Sequence, residues 1–342
     1  MSWTRKRVFR AILIALAILI ALPLAGALYQ TLSVRSESGR FPPPGRLINI
    51  APPGEPERRL HLVCLGQGEP TVIFESSGFG GALSSRTARQ EVSLHTRVCS
   101  YDRMGMGWSD PGPNVITAGL LTDDLERLTT QAGLRPPFIL VPASIGGIPN
   151  ELFARRHPDR VAGLVFVDAG NSIMQEHFAP HLTRMGTEGA CLFKPAAQLG
   201  LMRLLDPFRF SKQPSDAAAL NISRLYRVEP MTTFCGIVRG YRTSAQELSA
   251  APPLASDIPL TVLVHDKFEG FVPPGLAALG VLAAEQQMVR RDWLGLQQRF
   301  AQRSTRGKWR VVPGSDHLIG NSQPQAVASA VLDMLAEVQL GR

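Results

Sequence analysis

The sequence predicts an α/β fold, a mostly parallel sheet with helices on both faces. Two patterns point there. From about residue 46, short β-branched or apolar runs alternate with stretches of helical periodicity, and several of the runs are continuously apolar, as expected of strands buried on both faces. A third observation sets the outline: residues 169–255 hold helix-like pieces and no convincing strand, so they form an insertion, a helical cap over the sheet.

The runs are "RLHLVCL" (59–65), "TVIFE" (71–75), "TRVCSYD" (96–102), "FILV" (138–141), "GLVFVD" (163–168), "LTVLVH" (260–265) and "WRVV" (309–312). Between them, Leu121, Leu125, Leu128 and Ala132 mark one apolar helix face, with Gly133 as its C-cap. Val289, Trp293, Leu296 and Phe300 mark a second face, and Val327, Val331, Met334 and Val338 a third. In such sheets ligands bind beyond the carboxyl ends of the strands, so chemistry is sought there.

The first segment differs from all that follows. Arg5, Lys6, Arg7 and Arg10 precede an uncharged run, Ala11 to Leu28, of a length that can cross a bilayer. Cations before the run keep the N-terminus cytoplasmic and export the remainder. The run exceeds the usual apolar core of a signal peptide and is read as an uncleaved anchor; Ala25 and Ala27 form an A-x-A site that leaves a cleaved signal, and a secreted product, as the alternative. Residues 30–45, polar and then proline-rich, read as a linker that holds the body off the membrane. The expected organisation is a basic stub and membrane segment (1–29), a linker (30–45), a core (46–168 and 256–342) and the cap (169–255).

Charge narrows the partners. Lys and Arg number 36 against 28 Asp and Glu, and the four cations of the stub make up half of the resulting +8. Without a basic stripe interleaved with aromatics, nucleic acid is not an expected partner. Four cysteines in an exported domain allow three pairings. Cys64 and Cys99 fall in predicted strands and Cys191 and Cys235 in the cap, so pairing within each region is expected, buried free thiols being the alternative.

Ser144 lies in "LVPASIGGIPNELF", directly after the run "FILV" and before a helical stretch. This strand–turn–helix setting suits a serine nucleophile on a tight turn, where small neighbours let strand and helix approach. Gly146 and Gly147 supply them; Pro142 stands where a further glycine is usual. As the last residue of a strand it need not break the ladder. His317, in "VVPGSDHLIG" after the last run, can swing over the sheet to act as base. The acid that orients it is Asp168 or Asp266, each at a strand end; Asp168 is preferred because its strand neighbours that of Ser144. An oxyanion hole is expected from the backbone N–H groups of Ile145 and, in "FESSGFGG", of Phe79. A structural serine and a plain glycine turn are the alternatives.

No metal or cofactor motif is found. "HFAPH" sets His177 and His181 four apart, but no third ligand completes a zinc site and the proline between them disfavours one helix; "GFGG" lacks the spacing of a phosphate loop. "NIS" at 221–223 matters only in a glycosylating host.

Together these stretches resemble the α/β-hydrolase family over roughly residues 46–340. "YDRMGMGWSDPGP" (101–113) looks like the loop after the fourth strand in its esterase-, lipase- and peptidase-like branch. "TVIFESSGFGG" is similar to the branch's oxyanion strand, "RRHPDRVAGLVFVDA" (155–169) to the stretch leading out of its nucleophile helix, and "VVPGSDHLI" to its histidine loop. The usual Gly-x-Ser-x-Gly is Pro-Ala-Ser-Ile-Gly here. The resemblance implies an eight-stranded sheet with the second strand antiparallel and the cap after the sixth. It leaves both acids open, because branches differ in placing theirs after the sixth or the seventh strand. Epoxide hydrolases and haloalkane dehalogenases on this fold attack with a carboxylate; Ser144 at that position implies acyl transfer to serine. The expected activity is ester hydrolysis through Ser144, His317 and Asp168, on a small-molecule ester or amide, without a cofactor. An iminopeptidase- or amidase-like enzyme, which would need acidic groups such as Glu176, Glu188 or Asp216 to hold an amine, is one alternative, and a non-catalytic binding protein on the same fold is another.

Overall fold

The computed structural model describes residues 2–207, 210–212, 215–267 and 283–341, with the side chains of 2–5, 178–190, 210, 215–217 and 283–290 outside that description. Its strands are β1 (Arg46–Asn49), β2 (Arg59–Leu65), β3 (Val72–Glu75), β4 (Val98–Tyr101), β5 (Phe138–Pro142), β6 (Val161–Val167), β7 (Leu260–His265) and β8 (Gly307–Val312). Its helices are α1 (Ser2–Arg40), α2 (Arg86–Val92), α3 (Ala118–Gln131), α4 (Gly147–Arg156), α5 (Ser172–Gln198), α6 (Leu201–Leu205), α7 (Ser215–Leu225), α8 (Val228–Ala250), α9 (Ala283–Ala301) and α10 (Pro324–Leu340). The eight strands form one sheet in the order β1-β2-β4-β3-β5-β6-β7-β8. β2 runs antiparallel to both neighbours and every other pair is parallel.

Alternation along the strands feeds two cores. Phe138 and Leu140 of β5, with Leu164 and Phe166 of β6, face Leu121, Leu125 and Leu128 of α3, Phe153 of α4 and Trp293, Leu296 and Phe300 of α9. Ile139, Val141, Val165 and Val167 face the other way, onto Ala88 and Val92 of α2 and Val327, Val331, Met334 and Val338 of α10. Both faces are therefore dry, which is why these strands read as continuous apolar runs. Each of the seven runs holds a strand; β1 has no such run because it is a short, largely exposed edge strand.

Between β6 and β7 the chain leaves the sheet to build α5 to α8, the cap. α5 runs through Pro180, so the proline in "HFAPH" does not end the helix. Both expected cysteine pairs are disulfides. Cys64–Cys99 joins facing positions of β2 and β4, and Cys191–Cys235 ties α5 to α8.

The linker expected at 30–45 departs from what forms. α1 continues through residues 30–40 as helix, and the proline run begins only after it ends. Docking on the cap explains this. Gln30 donates from Nε2 to the Tyr226 carbonyl at 2.9 Å and accepts from Arg203 Nε at 2.8 Å. Arg203, nearly fully buried, also grips Glu37 with two bonds of 2.7 and 2.9 Å. Where the helix ends, the Phe41 carbonyl accepts from Trp108 Nε1 at 2.9 Å and from Arg224, whose guanidinium lies 4.5 Å over the Trp108 ring. A polar stretch that would be solvated alone is held helical by these partners. The preceding part of α1 is long and apolar enough to cross a membrane, and the body of the protein buries no residue of its most apolar 18-residue stretch.

The cap disulfide closes a loop of 44 residues, for which chain entropy gives about 3–4 kcal/mol of stabilisation. The double substitution Cys191→Ser with Cys235→Ser is expected to lower the unfolding free energy by about that amount in urea titration. All four thiols should resist alkylation until the chain is reduced.

Candidate active site

Ser144 follows β5 and opens a short 3₁₀ turn, residues 144–146, that leads into α4. Its φ of +53° lies in the left-handed region, a strained setting for a residue with a side chain. The surrounding contacts enforce it. The Ser144 carbonyl accepts from Gly170 N–H at 2.7 Å, and a Cβ on Gly147 would lie 2.0 Å from the Gly170 carbonyl oxygen. One on Gly146 would press on the Glu75 side chain at 3.1 Å. Only glycines let α4 start this close to the sheet. Pro142 leaves the ladder with β3 intact, while pairing with β6 stops at Leu140 and resumes as a single bridge from Ala143 to Val167. The proline is the last residue of β5, opposite Glu75, and the next N–H, from Ala143, donates to the Glu75 carbonyl at 3.0 Å.

The Ser144 hydroxyl Oγ lies 2.8 Å from Nε2 of His317, which the loop after β8 carries over the sheet end. Nδ1 of the same ring is 2.6 Å from Oδ2 of Asp168. An ionised carboxylate only accepts, so Nδ1 carries the hydrogen and Nε2 is left to accept from the serine. His317 is also boxed in by rings: His265 and Trp293 both meet it edge-on, at 5.8 and 5.9 Å between centroids.

Asp168, directly after β6, is fully buried and itself has a positive φ of +48°. Its surroundings include two residues without a role in the sequence reading. His265, the last residue of β7, donates from Nδ1 to the same Oδ2 that His317 engages, and from its backbone N–H to Oδ1 at 3.3 Å. Trp293 of α9 donates from Nε1 to Oδ1 at 2.8 Å. Burial alone would push the Asp168 carboxyl up; the hydrogen bonds and charges of His265 and His317 outweigh it and hold the group below its ordinary value. In sequence His265 looked like the end of an apolar strand and Trp293 like a core position. Only strand order reveals that β7 abuts β6 and brings both to Asp168.

Asp266, the other candidate acid, is exposed, and its Oδ2 accepts from Gly314 N–H at 2.7 Å, capping the turn that precedes the histidine loop. His177 is also exposed and faces Asp292, Nε2 to Oδ2 2.8 Å, while His181 lies outside the described side chains. Among the described residues, Asp168, His265 and His317 are the cluster with metal-ligand chemistry. Both imidazoles turn Nδ1 to one carboxylate oxygen, Oδ2 of Asp168, so hydrogen bonds join the three side chains.

Of the two proposed donors, Phe79 follows a glycine, Gly78, that lies close to the Ile145 side chain. A Cβ on Gly78 would meet the Phe234 ring at 3.3 Å and the Ile145 side chain at 3.4 Å. The Phe79 ring stacks on Phe234, 4.3 Å between centroids, and stands edge-on to Phe193 at 6.4 Å, so the loop faces apolar cap residues. A buried ion pair holds this loop. Arg103 donates to the Ser76 and Ser77 carbonyls and, at 3.1 Å, to Oε1 of Glu75. Glu75 Oε2 accepts from Tyr101 at 2.7 Å and from Asn150, which also bonds the Gly146 carbonyl at 2.8 Å. Burial raises the Glu75 carboxyl above its ordinary value, against the pull of Arg103.

Comparison with known proteins agrees with this architecture. Residues 72–330 match the alpha/beta hydrolase family. An esterase from Thermogutta terrifontis has a similar structure, with a TM-score of 0.57 and 22% identity over 86% of this chain and 98% of its own. An epoxide hydrolase from Bacillus megaterium gives a TM-score of 0.60 at 16% identity, over 85% of this chain and 100% of its own. Among curated relatives, an uncharacterized protein of Schizosaccharomyces pombe is 32% identical over 170 residues, 41% of this chain and 31% of that protein. The pimeloyl-[acyl-carrier protein] methyl ester esterase of Chromobacterium violaceum is 32% identical over 124 residues, 36% of this chain and 45% of the esterase. The chain thus spans less than half the length of these two curated relatives.

Two outcomes follow from the geometry. Asp168→Asn should cut kcat by about 10⁴-fold, as loss of the orienting carboxylate does in serine hydrolases, while Asp266→Asn stays within a few-fold; the reverse ranking in steady-state kinetics would move the acid to β7. Pro142→Gly should leave kcat within about tenfold, roughly 1.4 kcal/mol of barrier, because the bond from the Ala143 N–H to the Glu75 carbonyl ties the turn to β3 whichever residue stands at 142.

Proposed function

The chain belongs to the alpha/beta hydrolase family, and on that premise we propose that it is a serine hydrolase that cleaves an ester through an acyl-enzyme. The observation that carries the reading is the continuous hydrogen-bonded series Ser144, His317, Asp168, with the serine on a left-handed turn at a strand end.

In the proposed reaction, His317 Nε2 takes the Ser144 proton as Oγ attacks the ester carbonyl. The oxygen of the tetrahedral intermediate collects negative charge between the N–H groups of Ile145 and Phe79. The C–O bond to the alcohol then breaks, and His317 returns the proton to the leaving oxygen. Water, deprotonated by the same imidazole, attacks the acyl-enzyme and frees the acid and Ser144. Asp168 stays ionised throughout; its depressed pKa and four donors favour the imidazolium that forms beside it. The aromatic residues Phe79, Phe193 and Phe234 favour an apolar acyl group over the charged amine of an iminopeptidase substrate. The esterases among its relatives and structural neighbours support the choice of bond.

We place the catalytic body on the exported side of a membrane that α1 crosses. Support comes from the cations before the apolar run and from two disulfides, which suit an oxidising compartment.

A fluorophosphonate probe should label the purified chain, and Ser144→Ala should abolish labelling without unfolding it. Absence of labelling in folded wild-type protein would sink the serine hydrolase reading. A series of p-nitrophenyl esters of rising chain length should then show kcat/KM increasing with acyl length.

A further inference from the structure

Beside the apolar helix α1 lies a second apolar surface. The chain passes from α5 into α6 through Leu199 and Gly200, and both lie against α1. A Cβ on Gly26 would meet the Leu199 carbonyl oxygen at 2.4 Å, and one on Gly200 would meet the Tyr29 ring at 2.8 Å. Backbones this close fix the height of α6 along α1. The uncharged run Ala11 to Leu28 rises about 27 Å at 1.5 Å per residue, close to the ~30 Å apolar thickness of a bilayer. Gly26 and Tyr29 mark its end nearest the catalytic body, where an aromatic ring suits the interface. α6 therefore sits at the level where the anchor leaves the lipid.

At that level the surface is apolar. Leu201, Leu204 and Leu205 of α6 are 40%, 64% and 74% exposed, and Leu192 near the end of α5 is 68% exposed. Met202 points the other way, buried with Ala197, Tyr226 and Met231 in a cluster that Phe79 and Phe193 join. One short helix thus shows leucines outward and, through Met202, touches the apolar group that includes Phe79. In water this surface would be a liability; continuity with a membrane-crossing helix identifies what covers it.

We propose that α6 and Leu192 sit in the leaflet on the side of the catalytic body, as a second contact with the bilayer that α1 crosses, and that the cap draws an apolar acyl ester from that leaflet toward Phe79 and Ser144. The inference rests on reading α1 as an anchor and Ser144 as the nucleophile. The clamp of Gln30, Arg203 and Glu37 holds the cap at this height, so the leucines are not carried on a free tether.

The test uses the full chain in lipid nanodiscs holding one copy each. An environment-sensitive fluorophore is placed in separate variants at Leu204→Cys, at Leu19→Cys within the anchor and at Glu57→Cys as a control away from α1. Lipids spin-labelled high on the acyl chain should quench the probe at 204, lipids spin-labelled near the chain end should quench that at 19, and both should spare that at 57. Quenching at 19 without quenching at 204 would overturn the proposal and keep the anchor, whether solvent or a second copy covers the patch. No quenching at 19 would overturn the anchor reading and the proposal together. As a second readout, Leu204→Glu with Leu205→Glu should lower hydrolysis of a bilayer-dissolved long-chain ester at least tenfold relative to that of a water-soluble short-chain ester. An unchanged ratio would overturn the proposed route, and an active-site fluorophosphonate titration separates that result from loss of the nucleophile.

Discussion

The carboxylate of Asp168 is fully buried at the end of a strand in the interior of the sheet, and three segments of the C-terminal half turn donors toward it. Left with a partner missing, a buried charge of this kind destabilises a protein by several kcal/mol. β7 answers with the ring and backbone of His265, α9 with the indole of Trp293, and the loop after β8 with His317. Three separate pieces of chain are thereby aimed at one side chain. Because the carboxylate can only accept, it also decides where the hydrogens on both imidazoles reside, and that leaves His317 Nε2 facing Ser144 as an acceptor.

A second buried carboxylate organises the opposite flank. Glu75 and Arg103 form an ion pair whose remaining bonds reach the Ser76 and Ser77 carbonyls on one side and, through Asn150, the Gly146 carbonyl on the other. The loop bearing Phe79 and the turn bearing Ile145 are thus referenced to the same point. Gly146 and Gly147 supply the clearance, and the ladder with β3 runs past Pro142 to the Ala143 N–H. The serine turn is held from both sides by polar groups that water does not reach.

The sheet was readable because burial on both faces leaves unbroken apolar runs, and the helices because Leu121, Leu125 and Leu128 or Val327, Val331 and Met334 keep strict spacing. Ser144, Asp168 and His317 stood out by position relative to strand ends, and the structure sets them within hydrogen-bonding reach. What escaped depends on contacts between distant segments. β1 is too short and exposed to leave a pattern, and the helicity of residues 30–40 comes from Arg203 and Tyr226, far along the chain. His265 is indistinguishable in sequence from a strand-end residue until β6 and β7 are known to be neighbours. The lesson is specific: local periodicity reports burial, while the partners of a buried charge are set by topology.

The Cys191–Cys235 bridge ties the first long helix of the cap to the last. Any opening of the cap must carry both helices together, because neither can swing out alone. Small adjustments are left to side chains such as Phe79, Phe193 and Phe234, whose rotations belong to the picosecond-to-nanosecond range rather than to the microsecond-to-millisecond range of moving lids. Stapled in this way, the cap acts less as a door than as a fixed wall with movable aromatic shutters.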